Sequence, residues 1–215
     1  MIELPRLFIR IGLERAFEPK GFHCMKPLAV FFVILALAAP LAFSQNSTWV
    51  SDSNHSEVDF AISHMSVSTV HGRFGNVNAI LHMDGADITK SSVQVTIGVD
   101  TVNTGDQGRD NDIKGAGYFD VANFPTATYT STSVSKNGND LIVQGNLTLR
   151  GVTKPVVLTV EGLTGPMTDQ RGKVHRGFSA TATINRADFG IGANMPAAML
   201  GNEVKLTIEL DVIKQ

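Results

Sequence analysis

From residue 55 to the end of the chain, apolar and polar residues alternate one by one rather than at helical spacing. The clearest stretch is 203–212, where Val204, Leu206, Ile208, Leu210 and Val212 alternate with Glu203, Lys205, Thr207, Glu209 and Asp211. Successive side chains of a strand point to opposite faces, so this pattern predicts a strand with one side in a core and the other in water. The same reading puts Val58, Phe60 and Ile62 on one side of 55–64. It puts Val93, Val95, Ile97 and Val99 on one side of 92–100, and Leu141, Val143, Leu147 and Leu149 on one side of 141–149. Weaker alternation predicts strands at 74–83, 127–134, 156–163 and 178–185, which makes eight.

Turn chemistry agrees. Asn137, Gly138, Asn139 and Asp140 lie between two strand-like runs, and Asn and Gly accept the positive φ of tight hairpins. Asp84-Gly85 and Gly151 punctuate in the same way, so neighbouring strands are expected to run antiparallel in a meander. Two stretches fit neither period: the charged 106–115, which suits a short helix or lid, and 187–200, mixed in Gly, Met and Pro. Loops of that kind are where a binding mouth is expected. Strands with one apolar face must stack as two sheets or close into a barrel, and periodicity leaves both open.

The N-terminal fifth differs. From Met25 and Lys26 the chain enters an apolar run over 28–39, then Ala42-Phe43-Ser44 before Gln45, the layout of a secretory signal peptide cleaved near Ser44. The run is shorter than the roughly 20 apolar residues of a membrane span. Residues 1–24 precede that layout and read as a start-site extension, with translation expected to begin at Met25. The folded domain is then 45–215, and its expected location is periplasmic or secreted.

Cys24 is the single cysteine, so the domain has no disulfide framework and no thiolate for a zinc set. From residue 45 onward, 13 Lys and Arg face 17 Asp and Glu without blocks of one sign, which disfavours a nucleic-acid partner.

Signs of catalysis are sparse. His55, His64, His71, His82 and His175 form no HExxH or His-x-His pair, although His64 and His71 suit a meeting across a hairpin. No Gly-x-Ser-x-Gly elbow is present. Arg109, Asp110, Asp112 and Lys114 form the densest charge cluster, read as a capped short helix or a polar cavity mouth. Phe119, Phe124 and Tyr129 follow as aromatic area for a core or a pocket.

Several spaced segments resemble the YceI-like family, bacterial periplasmic lipocalin-like proteins that bind polyisoprenoids. They are His55-Ser56-x-Val58-x-Phe60-x-Ile62-x-His64, then Val70-His71-Gly72-Arg73-Phe74, then Asp100-Thr101-Val102-Asn103-Thr104-Gly105 with Arg109-Asp110. Tyr118-Phe119-Asp120-Val121-x-x-Phe124-Pro125 and Tyr129-Thr130-Ser131 follow. The most specific is Gly145-Asn146-Leu147-Thr148-Leu149-Arg150-Gly151-Val152-Thr153-Lys154-Pro155-Val156, and Asn185-Arg186-Ala187-Asp188-Phe189-Gly190 closes the series. This chain departs from the pattern at Asp112, where the family often has His, and at Gly115-Ala116-Gly117.

The resemblance implies an all-β fold, an eight-stranded antiparallel lipocalin-like barrel with one or two short helices in loops. It implies a hydrophobic channel for an isoprenoid quinone or prenyl carrier lipid, no catalytic residue, no metal and no resident cofactor. The expected lining is Phe60, Ile62, Phe74, Val95, Ile97, Phe119, Phe124, Tyr129, Leu147 and Leu149, with Arg109 and Asp110 at the mouth facing a head group. Transient membrane contact and a homodimer are compatible with this reading. Two alternatives stand beside it: a metal-assisted or lipid-modifying enzyme using His64, His71 or His175, and a stress-response structural protein whose barrel is filled by its own side chains.

Overall fold

The computed structural model describes residues 46–161 and 164–215. The start-site extension, the signal peptide and Cys24 lie outside the described residues. Among the described residues eleven strands follow in chain order: β1 (Asn46–Ser51), β2 (Glu57–His64), β3 (Ser68–Phe74), β4 (Val77–Asp84), β5 (Ser92–Gly98), β6 (Thr126–Asn137), β7 (Asp140–Leu149), β8 (Val152–Glu161), β9 (Met167–Thr168), β10 (Val174–Asn185) and β11 (Leu200–Lys214). An α-helix, α1 (Gln107–Lys114), stands between β5 and β6.

All pairings are antiparallel, and they close a ring. The 15-residue β11 pairs with β10 along one side. On its other side it pairs first with β2 and then, near its end, with β1. So β1 and β2 are two halves of one bent wall. Likewise β3 pairs with β2 while β4 pairs with β1, which makes β3 and β4 halves of the next wall. With β5, β6, β7, β8 and β10 this gives an eight-stranded closed barrel of the lipocalin-like kind, in which no sheet edge is left along most of its circumference.

The two bends explain where periodicity misled. Inward residues of β3 are Val70, Gly72 and Phe74, but those of β4 are Val77, Ala79, Leu81 and Met83. The face switches at Gly75-Asn76, with Asn76 at φ 50°, so 74–83 is not one strand. Strand β6 switches in the same way: Ala127 and Tyr129 face inward, a bulge intervenes between Ser131 and Ser133, and Val134 faces inward after it. A bulge inserts one unpaired residue and so reverses the alternation beyond it.

The hairpin expected at 137–140 forms, with Asn137 paired to Asp140 and Gly138 at φ 61°. The β7–β8 turn places both Arg150 (φ 50°) and Gly151 (φ 73°) in the left-handed region, as a two-residue primed turn requires. The helix expected within 106–115 is α1, capped where the Asp106 carboxylate accepts from the Arg109 backbone N–H at 2.8 Å.

Candidate ligand-binding channel

The inward faces of the strands do not meet at the barrel axis. A cavity of about 280 Å³ occupies the half walled by β2, β3, the end of β7 and the start of β11, beneath α1 and the 186–200 segment. A second, of about 140 Å³, occupies the half walled by β4, β5, β6, β7, β8 and β10. Val58, Ile97, Leu147 and Leu206 border both, so the two lie end to end with those four side chains as a waist. The interior of the barrel is therefore not fully filled by its own side chains.

The walls are chemically lopsided. In the smaller cavity Ser91, Ser92 and the Tyr129 hydroxyl are the polar side-chain groups, among aliphatic residues and Phe178. Tyr129 donates its hydroxyl to the Val143 carbonyl at 3.1 Å, with the Val156 carbonyl at 3.3 Å, and burial pushes its pKa up to about 12. It therefore contributes no charge at physiological pH. In the larger cavity the polar side chains are His64, Thr104, Arg109, Asp112, Tyr118 and Arg186, contributed by the end of β2, α1 and its flanks, and the 186–200 segment.

Seven of the residues expected to line a channel, Phe60, Ile62, Phe74, Ile97, Phe119, Leu147 and Leu149, border the larger cavity. Val95 and Tyr129 border the smaller one, as do Ile97 and Leu147. Phe74 lies between Phe60 and Phe119, with ring centroids 5.5 and 5.4 Å away, the second pair edge-on. Phe124 borders neither cavity. Its ring lies against the β7–β8 turn, where a Cβ on Gly151 would come within 2.6 Å of it, so it packs a turn instead of lining the channel.

At the mouth, Arg109 borders the larger cavity, with Nε donating to Thr104 Oγ1 at 2.8 Å and Nη2 to the Thr104 carbonyl at 2.9 Å. Among the described residues no carboxylate forms an ion pair with it. Asp110 turns away from the cavity and accepts from the Thr104 hydroxyl at 2.6 Å and backbone N–H at 2.8 Å. The Thr104 hydroxyl, foremost, holds its carboxyl below the usual range. Asp110 thus ties the preceding loop to α1, and Asp112 supplies the acidic group at the cavity wall.

His64 and His71 do not meet. His64 pairs with Ser68 and His71 with Ala61, so the two rings point to opposite faces of the β2–β3 hairpin. His64 borders the larger cavity, whereas His71 is exposed on the outside.

Sequence reasoning missed Arg186. Its side chain is 2 % exposed and borders the larger cavity. Nε donates to the Gly201 carbonyl at 2.9 Å, Nη1 to those of Ile191 and Gly192 at 2.9 and 2.6 Å, and Nη2 to those of Met195 and Leu200 at 2.9 and 2.8 Å. All five N–H donors are used, each on a backbone carbonyl. A segment that reads as irregular is thereby folded around one guanidinium, which forms the rim of the mouth.

Comparison with known proteins decides the family. A profile of the YceI-like domain matches residues 49–212. This chain belongs to the YceI-like family. Protein YceI of Salmonella newport (strain SL254) is 38 % identical over 164 residues, covering 76 % of this chain and 84 % of that protein. The YceI protein of Campylobacter jejuni is 30 % identical, with a TM-score of 0.64 over 72 % of this chain and 90 % of that one. Burkholderia cenocepacia BcnA has the same fold, with a TM-score of 0.68 and 24 % identity over 75 % of this chain and 98 % of its own. A polyisoprenoid-binding domain from Saccharophagus degradans shares the fold at a TM-score of 0.56 and 19 % identity, over 78 % of this chain and 98 % of that chain. Every strand of the barrel except β9 has residues bordering a cavity or buried within the 49–212 match, so the YceI-like region and the channel walls coincide.

Proposed function

We propose that this protein binds a polyisoprenoid lipid, an isoprenoid quinone or a prenyl carrier lipid, and carries or sequesters it in an aqueous compartment outside the cytoplasm. The observation that carries the reading is the pair of end-to-end apolar cavities whose charged groups all lie in the larger, outer one. A prenyl tail threads through the waist into the smaller cavity, and its polar end stays in the larger one beside Arg109 and Asp112. Burying roughly 700 Å² of tail at about 25 cal/mol per Å² is worth on the order of 15 to 20 kcal/mol before ordering and association costs, enough for retention without a covalent anchor. The family relationship and the Saccharophagus neighbour, described as polyisoprenoid-binding, support the ligand class.

The reading is of a binding protein, not a catalyst. His64, Arg109, Asp112, Tyr118 and Arg186 approach the larger cavity, but no hydrogen bond links any one of them to another among the described residues, so no nucleophile–base pair is set up. The signal-peptide pattern before Gln45 supports export.

Loading occurs at a membrane surface. Met195 borders the larger cavity and is 37 % exposed; beside it Met65, Val67 and Met199 are 48, 83 and 41 % exposed. The Met65 backbone N–H donates to the Met199 carbonyl at 2.9 Å, which joins the β2–β3 tip to the 193–199 loop. Neither 64–69 nor 193–199 contains Asp, Glu, Lys or Arg, so the rim enters a headgroup region without stripping a charge of water.

The test is mass spectrometry of the protein purified from its own host, intact under native conditions and after organic extraction. A stoichiometric prenyl lipid is expected; absence of any prenyl lipid, together with no uptake of one added from vesicles, overturns the proposal. Val67→Asp with Met199→Asp should slow uptake from vesicles while leaving the fold intact.

A further inference from the structure

On the outside of the barrel, away from the channel, four parts of the chain bring together two imidazoles and three carboxylates. The turn between β1 and β2 supplies Asp52 and His55, β11 supplies Asp211, β10 supplies His175, and the loop before β10 supplies Asp169. One ligand atom each from Asp52, His55 and Asp211 lies within 4.8 Å of the other two. His55 Nδ1 is 3.0 Å from Asp52 Oδ2, and His175 Nδ1 is 2.9 Å from Asp211 Oδ1.

We propose that Asp52, His55 and Asp211 form a binding site for a divalent transition-metal ion of the zinc type, with His175 holding Asp211 from behind. Donors around such an ion at about 2.1 Å stand about 3.4 Å apart in a tetrahedron, and the three ligand atoms here lie within 4.8 Å of one another, with water to complete the set. One imidazole and two carboxylates match an ion of borderline softness, and the carboxylates neutralise its charge.

The surroundings are built as metal sites are built. His175 turns Nδ1 toward Asp211, and its other ring nitrogen, Nε2, faces Asp169 Oδ2 at 3.6 Å, so a histidine and a second carboxylate stand behind the Asp211 ligand and orient it. Asp169 is itself fixed, because its Oδ1 accepts the backbone N–H groups of Arg171 and Lys173, both at 2.8 Å. Asp52 keeps Oδ2 toward His55 because Oδ1 accepts the Asn54 N–H at 3.0 Å. The main chain is clamped as well: the Asp52 N–H donates to the Asp211 carbonyl at 2.7 Å, and the Asp211 N–H donates to the buried Ser56 hydroxyl at 3.2 Å. A bound ion would rivet the bend between β1 and β2 to β10 and β11, so it would stabilise the folded barrel by mass action.

The test is calorimetric titration of chelator-stripped protein with zinc chloride, with cobalt(II) absorption as a report of coordination geometry. One ion per chain and the visible band of tetrahedral cobalt are expected. His55→Ala, which removes a ligand, should weaken zinc binding by about 100-fold or more and His175→Gln, which loosens Asp211, by about 10-fold, while His71→Ala, on the outer face of the β2–β3 hairpin, leaves it unchanged. His55 is exposed and its ring is bonded to Asp52 alone, so its variant keeps the fold, which circular dichroism checks. No saturable binding in the wild type overturns the proposal, as does an affinity that both variants retain.

Discussion

Replacing Arg186 tests whether one buried guanidinium shapes the rim of the channel. Arg186→Met keeps a long apolar stem and removes five charge-assisted hydrogen bonds, to the carbonyls of Ile191, Gly192, Met195, Leu200 and Gly201. The Gly192 carbonyl keeps a second partner, the Met195 N–H at 2.9 Å, so four carbonyls lose the side-chain donor on which the segment folds. At about 1 kcal/mol for each, the low end for an unsatisfied group beside a cavity that water can enter, the loss is about 4 kcal/mol. Relief from burying a cation that has no carboxylate partner offsets part of it, which leaves about 3 kcal/mol. Arg186→Lys retains at most three donors and should lose about 1 to 2 kcal/mol. Urea unfolding followed by the single tryptophan, the buried Trp49 under Arg176, measures both. Hydrogen exchange should show protection lost over 191–201 first. A change below about 1 kcal/mol for Arg186→Met, with an unchanged m-value and unchanged exchange, would refute the reasoning.

Four further outcomes follow from the same geometry. Gly145→Ala drives a Cβ into the Tyr129 ring and to 2.6 Å from the Thr130 carbonyl, so it should cost about 1 to 3 kcal/mol by thermal denaturation. Tyr129→Phe removes a buried hydroxyl donor and should cost about 1 kcal/mol with lipid retention unchanged, read by native mass spectrometry. Leu147→Trp fills the waist, so retained lipid should be lost or shift to shorter chains in the same spectra. For pH, His175 has its folded-state pKa raised, first by the hydrogen bond it donates to the Asp211 carboxylate, so its stabilisation is full below its ordinary value of 6.5 and is lost as pH rises through the folded value. Asp52 and Asp169 are shifted down, by the His55 hydrogen bond and the Lys173 N–H respectively, so theirs is present above 3.8 and lost as acid titrates them. In metal-free protein, His175→Gln should therefore flatten the fall in Tm above pH 6.5 and leave the acid limb in place; an unchanged alkaline limb would count against the assignment.

The order of apolar and polar residues along the chain specifies the material of the barrel. Alternation with period two marks which side of each strand is apolar, because that periodicity is a property of the extended backbone wherever the strand lies. Val204 through Val212, Leu141 through Leu149 and Val93 through Ile97 could be assigned to the inside in this way, and seven of the ten proposed lining residues border the larger cavity. Gly138 and Gly151 were legible for a similar reason, since positive φ is a local demand. What alternation cannot carry across is a break in register: the switch at Gly75-Asn76 and the bulge after Ser131 reverse the inward face, and each is decided by the partner strand. Closure of the sheet, the waist, and the separation of His64 from His71 are likewise facts of register between strands far apart in sequence. The same holds for Arg186 and for His55 with His175. Their partners are backbone carbonyls and carboxylates that only folding brings within 3 Å, and a composition of Gly, Met and Pro or a scatter of histidines contains no record of that approach.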